Sequence, residues 1–367
     1  MILRGSAARH QAYGGSYFFG GETMRQSRSG WIVSALAALL IGGSASAVQA
    51  QANFYAGKSV NLLVGYTSGG GYDVVARLLA RYMPDYIPGK PGFVVQNMPG
   101  AGSLKAMNFI YAAAPKDGLT FGTVGRGIPV EPLLRNNDAQ FDVAKLNWIG
   151  STSAETSVCA AWHTSKIKSW ADMQKTEFTA AGEGPASDAD IFSAALKNVF
   201  GAKIRLVTGY PGGAEMALAI EREEVEGRCG WSWSSIKSTR PTWVPEKKLI
   251  PFLVLSLRKN PELPDVPVIT EFANAEQMQL LKLFLSRQEM GRPYVAPPGV
   301  PSERIAILRK GFDDTMKDEK FIADMVKSKL EVSPMTGKEV ADMLSEIYAM
   351  PKQVADQARE TVEKGAR

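Results

Sequence analysis

Hydrophobic and polar positions change period repeatedly along the chain. Val60–Tyr66 ("VNLLVGY") is a short apolar run that halts at three consecutive glycines, Gly69–Gly71. Beyond them Val75, Leu78, Leu79 and Tyr82 recur at helical spacing up to Pro84, where a helix stops. Phe93–Asn97 reads as a second strand, Leu104, Met107 and Tyr111 mark a second helix, and Leu119–Gly125 a third strand. This order, β-turn-α-β-turn-α-β, is that of a parallel sheet with ligand loops at the strand ends. Near Ser157 the cycle begins again. "FTAAGEGPASDADIFSAAL" supplies a strand, a glycine-containing turn and a helix with Phe192, Ala195, Leu196 and Val199 in register. "IRLVTGYPGGAEMALAIEREEVEGRCGWSW" supplies strand, Pro-Gly-Gly turn, helix and strand. Ser187 with Asp190, and Thr336 with Glu339, have capping-box spacing. Arg258–Phe272 reads as a proline-rich surface connection, and the C-terminal part as mostly helical. No fixed-period repeat is present, which argues against a solenoid.

The first fifty residues stand apart. "MRQSRSGWIVSALAALLIGGSASAVQA" carries Arg25 and Arg28, an apolar run from Trp31 to Ile41, then small residues ending in Val48-Gln49-Ala50. That is the order of a cleavable export signal, with Met24 a better start than Met1. The apolar run is too short to span a bilayer comfortably. A periplasmic protein is expected. Residues 1–50 hold four of the 42 Lys/Arg and one of the 37 acids, so the formal +5 falls to +2 once they are set aside. A near-neutral surface gives no case for a nucleic-acid partner. About 317 residues then remain, above the size at which single cores tend to split into two domains. The two cysteines, Cys159 and Cys229, are open to one disulfide or to two buried thiols.

Five stretches together resemble a known family, and in its order: "VNLLVGYTSGGGYDVVARLLA", "QNMPGAGSLKAMNFIYAAAPKDGLTFGTVG", "LVTGYPGGAEMALAIEREEVEG", "RKNPELPDVPVITEF" and "YVAPPGVPSERIAILRKGF". The chain is similar to the extracytoplasmic receptors of the tripartite tricarboxylate transporters, often called Bug proteins. The resemblance implies a type II periplasmic-binding-protein fold, two α/β lobes closing over a small solute. It places residues 54–155 and 286–367 in the first lobe and 156–285 in the second. It implies a carboxylate held largely by backbone N–H groups and waters, a membrane permease as partner, and no metal or organic cofactor. A monomer is expected.

In the first loop, Thr67, Ser68, Gly69, Gly70 and Gly71 lie between strand and helix, where N–H donors and a helix N-terminus make an anion cradle, with Tyr66 at the strand end a further candidate contact. Asp73 is awkward beside an anion, and holding the loop by accepting hydrogen bonds suits it better. The second loop departs from the family. Relatives commonly show Gly-x-Gly-Thr-x-x-His, whereas this chain has Gly182-Glu183-Gly184-Pro185-Ala186-Ser187-Asp188. Pro185 replaces the hydroxyl and lacks an N–H. Glu183 and Asp188 would oppose a second ligand carboxylate unless they point away or start the helix. A citrate-like polyanion becomes less attractive; monocarboxylates, amino-bearing acids or less charged solutes become more so.

The third loop, Tyr210-Pro211-Gly212-Gly213-Ala214, opens another helix. In "GRCGWSWSS", strand alternation puts Cys229, Trp231 and Trp233 on one face and Arg228 with Ser232 on the other. Trp231 is either core or an aromatic wall for the solute. Arg126 is either a surface residue or the ligand's counter-charge. "NMPGAGS" lacks the third glycine of a dinucleotide fingerprint, and "AGKS" precedes a strand rather than a helix. Past residue 50 only His163 remains, which excludes multi-histidine metal clusters and disfavours a Ser-His-Asp triad. A sensor subunit for a membrane kinase, or a secreted enzyme, are the alternatives to a transport receptor.

Overall fold

A computed structural model of the chain describes residues 54–134 and 138–364; the export signal read in residues 1–50 lies outside them. The elements are, in order, β1 (Ser59–Val64), α1 (Gly71–Tyr82), β2 (Gly92–Asn97), α2 (Leu104–Ala112), β3 (Thr120–Thr123), α3 (Glu131–Leu134), β4 (Asn147–Ser151) and β5 (Ser157–Trp162). Then come α4 (Trp170–Lys175), β6 (Phe178–Ala181), α5 (Asp188–Phe200), β7 (Ile204–Val207), α6 (Gly213–Glu221), β8 (Gly227–Ser232), α7 (Trp233–Thr239) and β9 (Leu249–Leu255). The chain closes with α8 (Ala275–Ser286), β10 (Pro293–Ala296), α9 (Ser302–Thr315), α10 (Glu319–Lys327), β11 (Met335–Thr336), α11 (Gly337–Tyr348) and α12 (Lys352–Glu363). No helix among the described residues is long and apolar enough to cross a membrane.

The strands form two sheets, ordered β11-β4-β10-β3-β1-β2 and β7-β6-β8-β5-β9. In the first, β1 pairs in parallel with β2 and β3, while β10 runs antiparallel to β3 and β4. In the second, β6 is parallel to β7 and β8, and β5 is antiparallel to β8 and β9. The chain crosses from β4 to β5 and returns from β9 through α8 to β10. Two connections therefore join the sheets, as two lobes require. A buried polar cluster fills the crossing: Arg292 pairs with Glu155, and its Nη2 donates to Ser234 Oγ at 3.0 Å and Ser235 Oγ at 3.1 Å.

Helix α1 shows why the apolar spacing works. Val75, Ala76, Leu78 and Leu79 are buried on the first sheet while Arg77 stays exposed, and Pro84 enters a short 3-10 turn just past the end. Three apolar clusters result: one under α1, α9 and α10, one under α6 and α7, and one running along the other face of both sheets. The last helix spans that shared layer. Asn198 Nδ2 on α5 donates to Thr361 O at 2.6 Å, and Arg359 donates to Leu133 O at 3.2 Å.

Cys159 and Cys229 form a disulfide between the neighbouring strands β5 and β8. Strict alternation fails there. Ser157 faces Ser232 and Val158 faces Trp231, but Ala160 faces Arg228, so Cys229 and Gly230 together oppose Cys159. Gly230 has φ +70°, the left-handed conformation of a β-bulge. The bulge sends Cys229 into the shared layer and Trp231 into the cluster under α6 and α7, and Trp233 already begins a helix. The single face expected for Cys229, Trp231 and Trp233 is thus corrected by one extra residue.

Candidate functional site

The β-to-α turns of the two sheets meet across a small cavity. Tyr66, Gly70, Gly71, Tyr72 and Arg126 line it from the first sheet, and Glu183, Asp188, Gly213, Arg228, Trp231 and Ser232 from the second. Its volume is about 50 Å³, enough for a few waters or a small polar group.

Two helices open onto this cavity. The N-cap residues of α1 and α6 are Gly70 and Gly212, and neither supplies a side-chain cap. A β-carbon built on Gly70 would lie 4.0 Å from Gly213 N, so the two starts face each other across the gap. Both positive helix ends favour an anion between them. Arg228, only 7% exposed, adds a cation beside Gly213; its Nε has no hydrogen-bond partner among the described residues. Glu183 is its nearest acid, with Oε1 3.5 Å from Arg228 Nη2. Burial pushes the Glu183 carboxyl up to about 7, with Arg228 only partly offsetting the loss of solvation.

The three adjacent glycines have three different surroundings. Gly69 adopts φ +80° in open space, which a side chain would strain. Gly70 meets only ordinary contacts, whereas a β-carbon on Gly71 would lie 2.0 Å from Ser235 Oγ on α7. Gly71 is therefore one point of close approach between the two halves. Thr67 Oγ1 donates to Glu215 Oε2 at 2.7 Å across the same gap, and a β-carbon on Gly212 would meet that hydroxyl. Ser68 and Gly69 are exposed and do not line the cavity. Asp73 is turned away from it: its carboxylate accepts from Gly69 N, Arg77 Nε and Asn97 Nδ2, each at 2.9 Å, and fixes the loop.

Arg126 is 2% exposed rather than on the surface. Its Nε lies 2.6 Å from Asp188 Oδ2, and it donates to Ser232 Oγ at 2.9 Å and Ser157 Oγ at 2.8 Å. All three partners come from the second sheet's side. Asp188 is also 3.6 Å from Arg287, fully buried at the return connection. Arg126 thus works as a tie between the halves, its charge spent on Asp188. Ser187 caps α5, accepting from Asp190 N; Asp190 accepts from the N–H groups of Glu183 and Gly184 instead of completing the box at Ser187 N. Gly182 backs onto Asp190, and Ala186 is buried in the apolar layer. His163 is exposed just past β5.

Gly184 and Tyr210 line a second, outer cleft of about 410 Å³ with Pro99–Ala101, Pro185 and Thr208–Pro211. Glu183 borders both spaces. Of the contact residues expected from the sequence, Tyr66, Gly70, Gly71, Arg126, Asp188, Gly213 and Trp231 belong to the inner lining. Tyr72, Arg228, Glu183, Ser232 and Ser235 line it as well and were not among those expected contacts. Arg228 carried a signal, since alternation set it opposite the tryptophans at a strand end; Ser235 carried none.

Comparison with known proteins agrees with this architecture. A "UPF0065 protein in gbd 5'region" from Cupriavidus necator is 24% identical over 335 residues, covering 89% of this chain and 94% of that one. The structure of the periplasmic binding protein BugD superposes with TM-score 0.67 at 22% identity, over 85% of this chain and 99% of that one. R. palustris Rpa4515, solved with adipate, superposes with TM-score 0.65 at 19% identity, over 82% and 97%. These likenesses fix the fold as that of a two-lobed periplasmic binding protein. The sequence profile described as "Tripartite tricarboxylate transporter family receptor" matches residues 75–358, and the chain belongs to that family.

Proposed function

We propose that this protein captures a small organic carboxylate between its two lobes and delivers it to a membrane permease of the tripartite tricarboxylate transporter type. The observation that carries the reading is the convergence of two uncapped helix starts and the under-used guanidinium of Arg228 on one buried cavity. The family is one of receptors, which favours capture over turnover and a periplasmic location. A neighbour of the same fold was solved with adipate, a carboxylate. Gly70, Gly71 and Gly213 hold the carboxylate through backbone N–H groups, Arg228 supplies the charge, and Tyr66, Tyr72 and Trp231 wall the solute. Arg126 with Asp188, and Thr67 with Glu215, latch the closed form.

A thermal-shift screen of the purified protein against aliphatic monocarboxylates, dicarboxylates, aromatic acids and their amides tests this. Saturable stabilisation by a carboxylate, absent with its amide, is expected. Stabilisation by neutral or cationic compounds alone would contradict it.

A further inference from the structure

Glu183 is the one acid at the cavity whose charge is left without a committed partner set. Asp188 sits between Arg126 and Arg287. Asp190 is occupied by the N–H groups of Glu183 and Gly184 and by the hydroxyls of Ser187 and Thr208. Glu183, 8% exposed, has only Arg228, at a separation longer than a hydrogen bond. That same guanidinium is the cation nearest the α6 helix start, with Nη1 3.6 Å from where a Gly213 β-carbon would lie. Any carboxylate seated there takes over the cation that Glu183 now uses.

Glu183 also stands where the inner cavity meets the outer cleft. The remaining walls of that cleft, Pro99–Ala101, Gly184, Pro185 and Thr208–Pro211, include no Lys, Arg or His. A second carboxylate on the solute, reaching outward, would meet Glu183 with no counter-charge in the lining itself; Lys105, exposed and packed by its stem against Gly100, stands outside that lining. Resting on the carboxylate-receptor reading above, we propose that Glu183 is a specificity-determining residue that competes with the solute for Arg228, so that the receptor selects monocarboxylates and takes up a proton as they bind.

The surroundings support that linkage. Arg228 on β8 and Arg126 after β3 face Glu183 as cations; Asp188 and Asp190 on α5 face it as acids; Tyr66 after β1 and Tyr210 after β7 complete the titratable neighbours. Burial has already raised the Glu183 carboxyl to about 7. An added anion beside it favours the protonated form further. Binding is then insensitive to pH below about 7 and weakens above it, because the proton must first be acquired.

The test is calorimetric titration between pH 6 and 8.5 with straight-chain monocarboxylates of two to six carbons, the α,ω-dicarboxylates of matching length, benzoate and 4-aminobutyrate. The best monocarboxylate is expected to bind at least tenfold tighter than its dicarboxylate. Its Kd is expected to rise toward tenfold per pH unit above about 7, and titrations in buffers of different ionisation heat should give proton uptake. Glu183→Gln should bind the same probe with a Kd flat across the range, its fold checked by its own melting temperature and, if it fails to fold, by the wild-type proton count alone. Equal or tighter binding of dicarboxylates, a pH-independent wild-type Kd, or 4-aminobutyrate binding that strengthens with rising pH would overturn the proposal while leaving a carboxylate receptor intact. Binding of no carboxylate in either series would remove both readings.

Discussion

Substituting Gly71 by alanine isolates one of the contacts through which the two halves close. The new methyl would lie 2.0 Å from Ser235 Oγ and 2.8 Å from Ser235 Cβ. The hydroxyl can rotate, but the β-carbon cannot, and rotation disturbs the hydrogen bond that Ser235 accepts from Arg292 Nη2 at 3.1 Å. Overpacking of this size costs about 1–3 kcal/mol. Gly71 is the first residue of α1 and its φ is not left-handed, so alanine suits the helix itself. The cost therefore falls on bringing α1 and α7 together rather than on folding either half. A carboxylate ligand that binds the closed form should lose about 5- to 150-fold in affinity, with the melting temperature of the unliganded protein changed by only a few degrees. Gly69→Ala is the control: it meets nothing within 4 Å, but strains a residue at φ +80°. It should lower stability without the same loss of affinity. Calorimetric Kd values and thermal melts of both variants decide the matter. A Gly71→Ala protein binding within twofold of wild type would refute the argument that this contact contributes to closure.

Three further outcomes follow from buried charge and covalent restraint. Because the Glu183 carboxyl titrates near 7 when folded against 4.5 ordinarily, the folded state holds the extra proton between those values, and stability falls as pH rises through that window. The contribution is up to about 3 kcal/mol, read as a change between pH 4.5 and pH 7.5 in the urea-unfolding difference between wild type and Glu183→Gln. Asp188→Asn leaves Arg126 and Arg287, 2% and 0% exposed, without their shared carboxylate; a loss of about 3–5 kcal/mol in urea unfolding is expected. Reducing the Cys159–Cys229 disulfide, whose cysteines are 70 positions apart, should lower stability by about 4 kcal/mol on the chain-entropy account, measured as the shift in unfolding free energy with and without reductant.

Much of the scaffold could be read from hydrophobic spacing. The runs ending at Gly69, Gly182 and Gly209 are strands because each is short, apolar and closed by a turn residue, and the helices after them bury the residues whose spacing marked them. Local chemistry was legible too: Asp73 and Ser187 do what short acceptors near a helix start ordinarily do. What was hidden depends on contacts between segments distant in sequence. Whether Cys159 meets Cys229 follows from β5 and β8 being neighbours in a sheet whose order no local pattern specifies. The bulge at Gly230 shifts side chains by one place, and a period-two reading has no term for it. The tie of Arg126 to Asp188 exists only because two lobes close on one another, and that of Arg292 to Glu155 only because the two crossing segments, 137 positions apart, run side by side. A charged residue in a loop looks alike in sequence whether it meets solvent, a ligand or a partner 62 positions away, as Arg126 and Asp188 are.

The most direct test of the account is a crystal structure of the protein with the tightest-binding carboxylate from the screen. The carboxylate oxygens are expected within hydrogen-bond distance of the N–H groups at the Gly70–Gly71 and Gly213 helix starts, with Arg228 turned onto the carboxylate and away from Glu183. A solute seated in the outer cleft alone, or one whose carboxylate lies clear of both helix starts and Arg228, would contradict it.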